Sequence, residues 1–297
     1  AVDARAGRVG VDHVVATKTN TVWPLLLSLF SQDQAVPKSE QSVAVSAIGS
    51  YLMRRGVCGL TTKDYNNIFV STLKASAAAE AAETGATIRD TLSGLRAESR
   101  WWPSDSEFVG ALIGSNFYAL SKPRIRAFFV GIENRLRDEQ AEDESRIEAD
   151  NGALNIEHVL PQAWRTHWPL APSDDPQKAL EVRERAVNAL GNLTLTNGRL
   201  NSKMRNSDWA TKRTALGAKS TLLITTSSIL ASPGASVLRD WDGEWDESAI
   251  DARTIWLVSL AISTWPRPEV EDESLDDQSD DDDEPSQDAD DLPEDDA

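Results

Sequence analysis

Leu154-Asn155-Ile156-Glu157-His158-Val159-Leu160-Pro161 is the stretch on which the reading of this chain turns. It is short and β-like, and Pro161 is consistent with a strand that stops there, since proline has no N–H to give to a ladder. Further on, residues 171–178 form a Pro/Asp/Ser loop. Gly191-Asn192-Leu193-Thr194-Leu195-Thr196 reads as a second short strand opened by a glycine. Asn197-Gly198 is a turn signal. Arg199 to Leu216 then reads as one helix rich in Lys, Arg and Asn. The order is strand, insertion, strand, helix.

The residues along this order can carry hydrolytic chemistry. Cleaving a phosphodiester needs a base for the attacking water, a cation for the charge that builds on the phosphate, and something to hold both in line. Histidine suits the base, because its unperturbed pKa of about 6.5 leaves much of it neutral in the cytosol. On that value, activity should rise between about pH 6 and about pH 8. Hard oxygen ligands suit Mg²⁺, which keeps several waters and takes one or two protein groups. Glu157 and His158 are adjacent at the strand end. Adjacent strand side chains face opposite ways, so a bulge or turn is needed to converge them. Asn192 opens the second strand, and Asn201 follows nine residues later on the helix.

Glu-His-Val-Leu-Pro, then Asn-Leu-Thr-Leu-Thr, then the second Asn resembles the pattern of HNH (ββα-metal, His-Me finger) nucleases. The resemblance implies that Glu157 and Asn201 bind a metal, Mg²⁺ or Mn²⁺. It also implies that His158 activates water and that Asn192 orients the histidine loop. The sequence departs from the family in two ways. The acidic residue is Glu where Asp is commoner, and no Cys pairs brace the finger. A narrower resemblance covers most of the chain. Tyr51-Leu52-Met53-Arg54-Arg55 with Cys58-Gly59, Ile156 to Gln162, Leu190 to Leu195, Asn201-Ser202-Lys203, Asn206 and Lys212-Arg213 resemble the C-terminal nuclease domain of GmrSD-type restriction proteins. Those act on modified phage DNA. The chain also resembles the C-terminal half of SspE-like phage-defence proteins, which sense DNA phosphorothioation and carry this domain as a nicking nuclease. These resemblances imply double-stranded phage DNA as substrate. They also imply an NTP-driven sensing domain N-terminal on the same polypeptide, and an opening AVDARAG without Met fits a fragment of a longer protein.

Several basic residues are candidates for DNA contact. Arg54 and Arg55 read as phosphate contacts or as a structural ion pair beneath the site. Lys203, Arg205, Lys212 and Arg213, with Asn206 among them, cluster on or beside the site helix, as phosphate binders or as a solvated face. Trp164 and Trp168 read as core residues, with base stacking as the alternative. His167 reads as structural, His13 as unassigned surface and Cys58 as a small buried hydrophobe.

Composition limits the rest. The 297-residue chain has a formal net charge of −18, but residues 269–297 hold 17 Asp and Glu and no Lys or Arg. The body is therefore near neutral, the tail reads as disordered, and nucleic acid is not excluded as a partner. A single cysteine rules out an internal disulfide and a cysteine-based zinc cage. No signal segment opens the chain and no apolar run approaches about 18 residues, so a cytoplasmic protein with no membrane partner is expected. An apolar run begins at 23–30, residues 75–98 are Ala-rich strong helix formers, and helical patterns recur at 42–55, 60–73, 104–120, 124–137 and 248–265. The expected fold is mainly α with a small embedded ββα-metal finger. Its parts are a helical region over 1–150, the finger over 151–216, a C-terminal helical region packing on the core over 217–268, and the acidic tail over 269–297. The expected function is a metal-dependent DNA endonuclease that nicks, since one site cuts one strand. The alternative is a degenerate module that binds DNA or a partner protein without cleavage, and RNA cleavage remains open.

Overall fold

A computed structural model describes residues 19–31, 35–97, 99–139, 147, 154–231 and 243–269. His13, nearly all of the polar 138–150 segment beyond residue 139, and the acidic tail after Glu269 lie outside the described residues.

The chain is mainly helical. Helices α1 (Trp23–Leu29), α2 (Lys38–Val57), α3 (Tyr65–Ala78) and α4 (Thr84–Ser93) enclose a first core that includes Leu25, Ile48, Tyr51, Phe69, Ile88 and Trp102. The Ala-rich run does not form one helix. Ala79 and Glu80 are extended, and α4 restarts under a cap from another helix. Glu40 Oε2 of α2 accepts from Gly85 N at 2.9 Å and Ala86 N at 3.0 Å. A carboxylate at a helix N-terminus satisfies donors that no intrahelical partner reaches, so a tertiary cap sets the boundary that alanine propensity would have blurred.

Helix α5 (Asp105–Gly114) begins with a capping box, in which Ser104 and Glu107 each accept from the other's backbone N–H. It ends six residues before the expected Leu120, and Phe117–Ala119 form a separate turn capped by Asn116. Helix α6 (Lys122–Glu139) follows. Strands β1 (Leu154–His158) and β2 (Leu193–Asn197) pair antiparallel, from Leu154 opposite Asn197 to His158 opposite Leu193. The insertion between them carries α7 (Pro176–Val187), whose first turn falls within the loop expected over 171–178. Its signal is present: Asp175 caps Lys178 N, and Pro176 opens the first turn.

Beyond β2 come α8 (Gly198–Met204), α9 (Trp209–Lys219), α10 (Leu223–Thr226) and α11 (Glu247–Thr264). The single helix expected over 199–216 is thus two. Arg205 breaks it with a positive φ of 35°, and Asp208 caps α9 by accepting from Thr211 N.

Two further cores flank the strands. One joins the end of α2, α5, α6, β2 and α11 through Met53, Phe108, Phe128, Leu193, Leu195, Leu257 and Trp265. The other joins the insertion, α8, α9 and the start of α11 through Leu160, Trp164, Trp168, Leu200, Trp209, Trp245 and Ile250. Packing therefore does not divide at residue 150, because α5 and α6 share their core with the strands. No helix among the described residues is long and apolar enough to cross a membrane.

Candidate active site

The turn after β1 is built around Asn192. Its side chain is fully buried and bonds at both ends. Oδ1 accepts from Leu160 N at 2.7 Å and from Trp245 Nε1 at 3.2 Å. Nδ2 donates to Leu160 O and to Val187 O, both at 2.8 Å. Its own carbonyl accepts from Val159 N at 3.0 Å. One amide thereby fixes the residues that directly follow His158.

Asn192 is itself held from behind by a residue that sequence reasoning missed. Arg253 of α11 is fully buried. Its Nη1 donates to Gly191 O at 2.7 Å and to Leu193 O at 2.6 Å, the carbonyls on either side of Asn192. Its Nε donates to Ser228 Oγ at 2.9 Å and its Nη2 to Ile224 O at 3.3 Å. Thr254 Oγ1 accepts from Gly191 N at 3.0 Å. A buried guanidinium is tolerable when oxygens surround it, and here they also hold β2 in place.

Glu157 and His158 remain in regular pairing, opposite Thr194 and Leu193, so their side chains leave the strand on opposite faces. No bulge brings them together. They are linked instead through Lys212 of α9. Its Nζ donates to Glu157 Oε1 at 2.7 Å and to the His158 carbonyl at 2.6 Å. Lys212 is fully buried, so its reading as a phosphate contact is corrected: it is the partner of Glu157. Burial pushes Glu157 up and Lys212 down from their usual ranges, and each opposes the other's shift.

The half-buried His158 ring lies 4.5 Å from the Tyr118 ring, edge to face, and its Nε2 is 3.3 Å from Asn188 Oδ1. Burial pushes its pKa down to about 4. The hydrogen bond to Asn188 opposes that shift, and the Lys212 charge adds to it. His158 is therefore neutral well below physiological pH, and the rise in activity expected between about pH 6 and about pH 8 does not follow. Tyr118 and Asn188 carry no motif signal, because they reach His158 only through the fold.

Asn201 is half-buried on α8, which packs on both strands. Among the described residues it makes no hydrogen bond to Glu157 or His158. The donor chemistry nevertheless suits a hard divalent ion: one buried carboxylate and one amide oxygen, the small protein share that Mg²⁺ accepts. Among the described residues no group of three or more His, Cys, Asp and Glu could hold a metal.

The remaining candidates fall into two groups. Arg54 and Arg55 are fully buried and cannot reach a phosphate, so that reading is corrected. Arg54 donates to Trp265 O at 2.7 Å and to Pro103 O at 3.2 Å, and pairs with Asp105 at 2.6 Å. Arg55 donates to Trp101 O, Thr61 O and Ser99 O at 2.7–2.8 Å. They fasten the end of α2 to the 99–103 segment and to the end of α11. Arg205, Asn206 and Arg213 are exposed, and the Lys203 side chain lies outside what is described. Trp164 and Trp168 are core residues, and His167 is exposed. Cys58 is half-buried against the core of α5 and α6, and burial pushes its thiol up to about 11.

The model of the GmrSD restriction endonuclease C-terminal domain matches residues 102–260. The chain belongs to this family. None of the curated proteins compared matches it. The match runs from just before α5 into α11, so it contains Glu157, His158, Asn192, Asn201, Lys212 and Arg253, whereas Arg54 and Arg55 precede it. As a GmrSD C-terminal domain the chain is a nuclease of the restriction class, and DNA is the substrate class this implies.

Proposed function

We propose that the chain is a divalent-metal DNA endonuclease of the HNH type that nicks one strand per encounter. The observation that carries the reading is the placement of Asn192. In a chain of this family it is fully buried and bonded to the loop that leaves His158, as a loop-orienting residue must be.

In this reading His158 takes the proton from the attacking water. Asn188 Oδ1 accepts from Nε2, so the hydrogen of the neutral ring sits there and Nδ1 carries the lone pair that receives the proton. Burial, with the Lys212 charge adding to it, keeps the ring neutral, and the Tyr118 ring packs edge to face against it. The Glu157 carboxylate and the Asn201 amide oxygen would hold Mg²⁺ or Mn²⁺. The ion would supply neutralisation of charge on the phosphate and leaving oxygens. Exposed Arg205 and Arg213, with Asn206 and Lys203, would track the DNA backbone. We infer double-stranded phage DNA as the substrate, phosphorothioated DNA as a narrower candidate, and an NTP-driven sensing domain as partner. These rest on the resemblance of the motifs.

The second reading is a module that binds DNA or a partner protein without cutting. One observation favours it: Lys212 already occupies Glu157 Oε1. Supercoiled plasmid incubated with Mg²⁺, with Mn²⁺ and with EDTA separates the two. Wild type should yield open circles only with an ion, and His158→Ala should be slower by about 10²–10⁴-fold. Full activity in EDTA, or wild-type rates for His158→Ala, would overturn the reading.

A further inference from the structure

Lys212 lies in the second turn of an amphipathic helix, where a lysine ordinarily faces water, yet it is fully buried and bonds to two consecutive residues of β1. The Glu157 carboxylate is thereby neutralised within the protein. No other carboxylate stands beside it in a cluster able to hold a metal, among the described residues. The His158 carbonyl is a second acceptor for Lys212 at 2.6 Å, independent of the carboxylate.

We propose that Lys212 is the resident counter-cation of Glu157 and makes divalent-ion binding there depend on a DNA phosphate. This rests on the nuclease reading of Glu157. An ion entering beside a retained ammonium meets like charge at close range, where burial leaves little screening. Glu157 alone cannot balance both cations. A phosphodiester adds one negative charge, which lowers the local excess from +2 to +1, and places oxygens where the protein offers few. Ion and DNA then tighten each other's binding by the same factor, because coupling is reciprocal. Lys212 is in this sense a positioning residue that favours loading the ion on substrate.

The test uses the full chain carrying His158→Ala, so that DNA survives, with bound Mn²⁺ measured by electron paramagnetic resonance. Duplex DNA should tighten Mn²⁺ binding by about tenfold or more, within the range usual for coupled sites. Adding Lys212→Met should tighten DNA-free Mn²⁺ binding by about tenfold and remove most of the DNA effect. Lys212→Arg, which keeps the charge, should retain it. Glu157→Gln measures Mn²⁺ held elsewhere, including on the DNA itself. Mn²⁺ binding at Glu157 with equal affinity with and without DNA overturns the proposal even if Lys212→Met does not fold. An unchanged DNA effect in a folded Lys212→Met protein overturns it as well. Mn²⁺ binding that Glu157→Gln leaves untouched is a different failure: it removes the metal role of Glu157 on which the nuclease reading stands.

Discussion

Asn192 and Leu160 exchange two hydrogen bonds, Leu160 N to Asn192 Oδ1 at 2.7 Å and Asn192 Nδ2 to Leu160 O at 2.8 Å. A side-chain amide thus serves as a strand partner for the residue two places after His158. Asn192→Asp keeps the acceptor but loses both donor bonds, and puts a charge in a fully buried site. Leu160 O and Val187 O would be left without those partners, at about 1–3 kcal/mol for each unsatisfied group. Urea denaturation should show a loss on the order of 3 kcal/mol, with cleavage falling further than stability explains. A midpoint equal to wild type would mean that Asn192 does not hold the loop.

The Asn188 contact makes a prediction about pH. On the proposed mechanism His158 acts in its neutral form, and burial pushes its pKa down to about 4. With chemistry rate-limiting, kcat should be flat from about pH 6 to about pH 8 and fall only toward pH 4. The stability sign agrees. A folded pKa below the unfolded value of about 6.5 means stability present above that value and lost as pH falls through the folded one. Asn188→Asp adds a negative charge beside the ring and should move the acid limb up toward neutral pH. Asn188→Ala removes a bond that favours protonation and should move it down, with a lower plateau from a looser ring. An inflection near pH 6.5 in wild type would contradict the buried, neutral histidine.

The two strands, with Glu157 and His158 at the end of β1, Asn192 at the entry to β2 and Asn201 on the helix after it, are legible because short-range spacing encodes them. Asn197-Gly198 is not the turn its sequence suggests, since Asn197 ends β2 and caps α8 directly. Burial is encoded differently. Lys212 and Lys219 both belong to α9, yet Lys212 is buried against Glu157 while Lys219 is exposed, and only the docking of α9 on β1 separates them. Arg54 and Arg55 mislead for the same reason, since their acceptors are backbone carbonyls as far away as Trp265. Arg253 has no motif, because its acceptors lie about sixty residues upstream on the β2 entry. Positive charge in a sequence looks like a DNA-binding face until the carbonyls it serves are located.

Salt dependence separates interior from surface cations. Each Lys or Arg that contacts phosphate adds about one unit to the slope of log affinity against log salt. Arg205→Ala and Arg213→Ala, at exposed positions, should each lower that slope by about 1 with little change in stability. Arg54→Ala should leave the slope unchanged and cost on the order of 3 kcal/mol, because Trp265 O and Pro103 O lose a charged donor. Filter binding of a DNA duplex across a salt series, beside urea melts, reads both. A reduced slope for a folded Arg54→Ala protein would return that residue to the DNA interface.

The last prediction concerns the glycine that precedes Asn192. A Cβ at Gly191 would collide with the Ile250 carbonyl oxygen and with Thr254 Oγ1, because α11 lies against the chain at this point. The backbone carbonyl belongs to a helix packed on two cores and cannot swing aside as a flexible side chain would. Gly191→Ala must therefore move α11 or the β2 entry. Moving the entry stretches the Arg253 bonds to Gly191 O and Leu193 O and tilts Asn192 away from Leu160. The loss should reach or exceed the roughly 1–3 kcal/mol typical of overpacking, from a change of one methyl group. Gly198→Ala is the control. Its Cβ would meet only Asn155 Nδ2 at 3.5 Å, an ordinary contact, and helix α8 should gain slightly from it. Thermal melts of the two variants should therefore differ in sign, Gly191→Ala falling and Gly198→Ala holding or rising. Equal melting temperatures for Gly191→Ala and wild type would show that α11 does not press on the Asn192 entry.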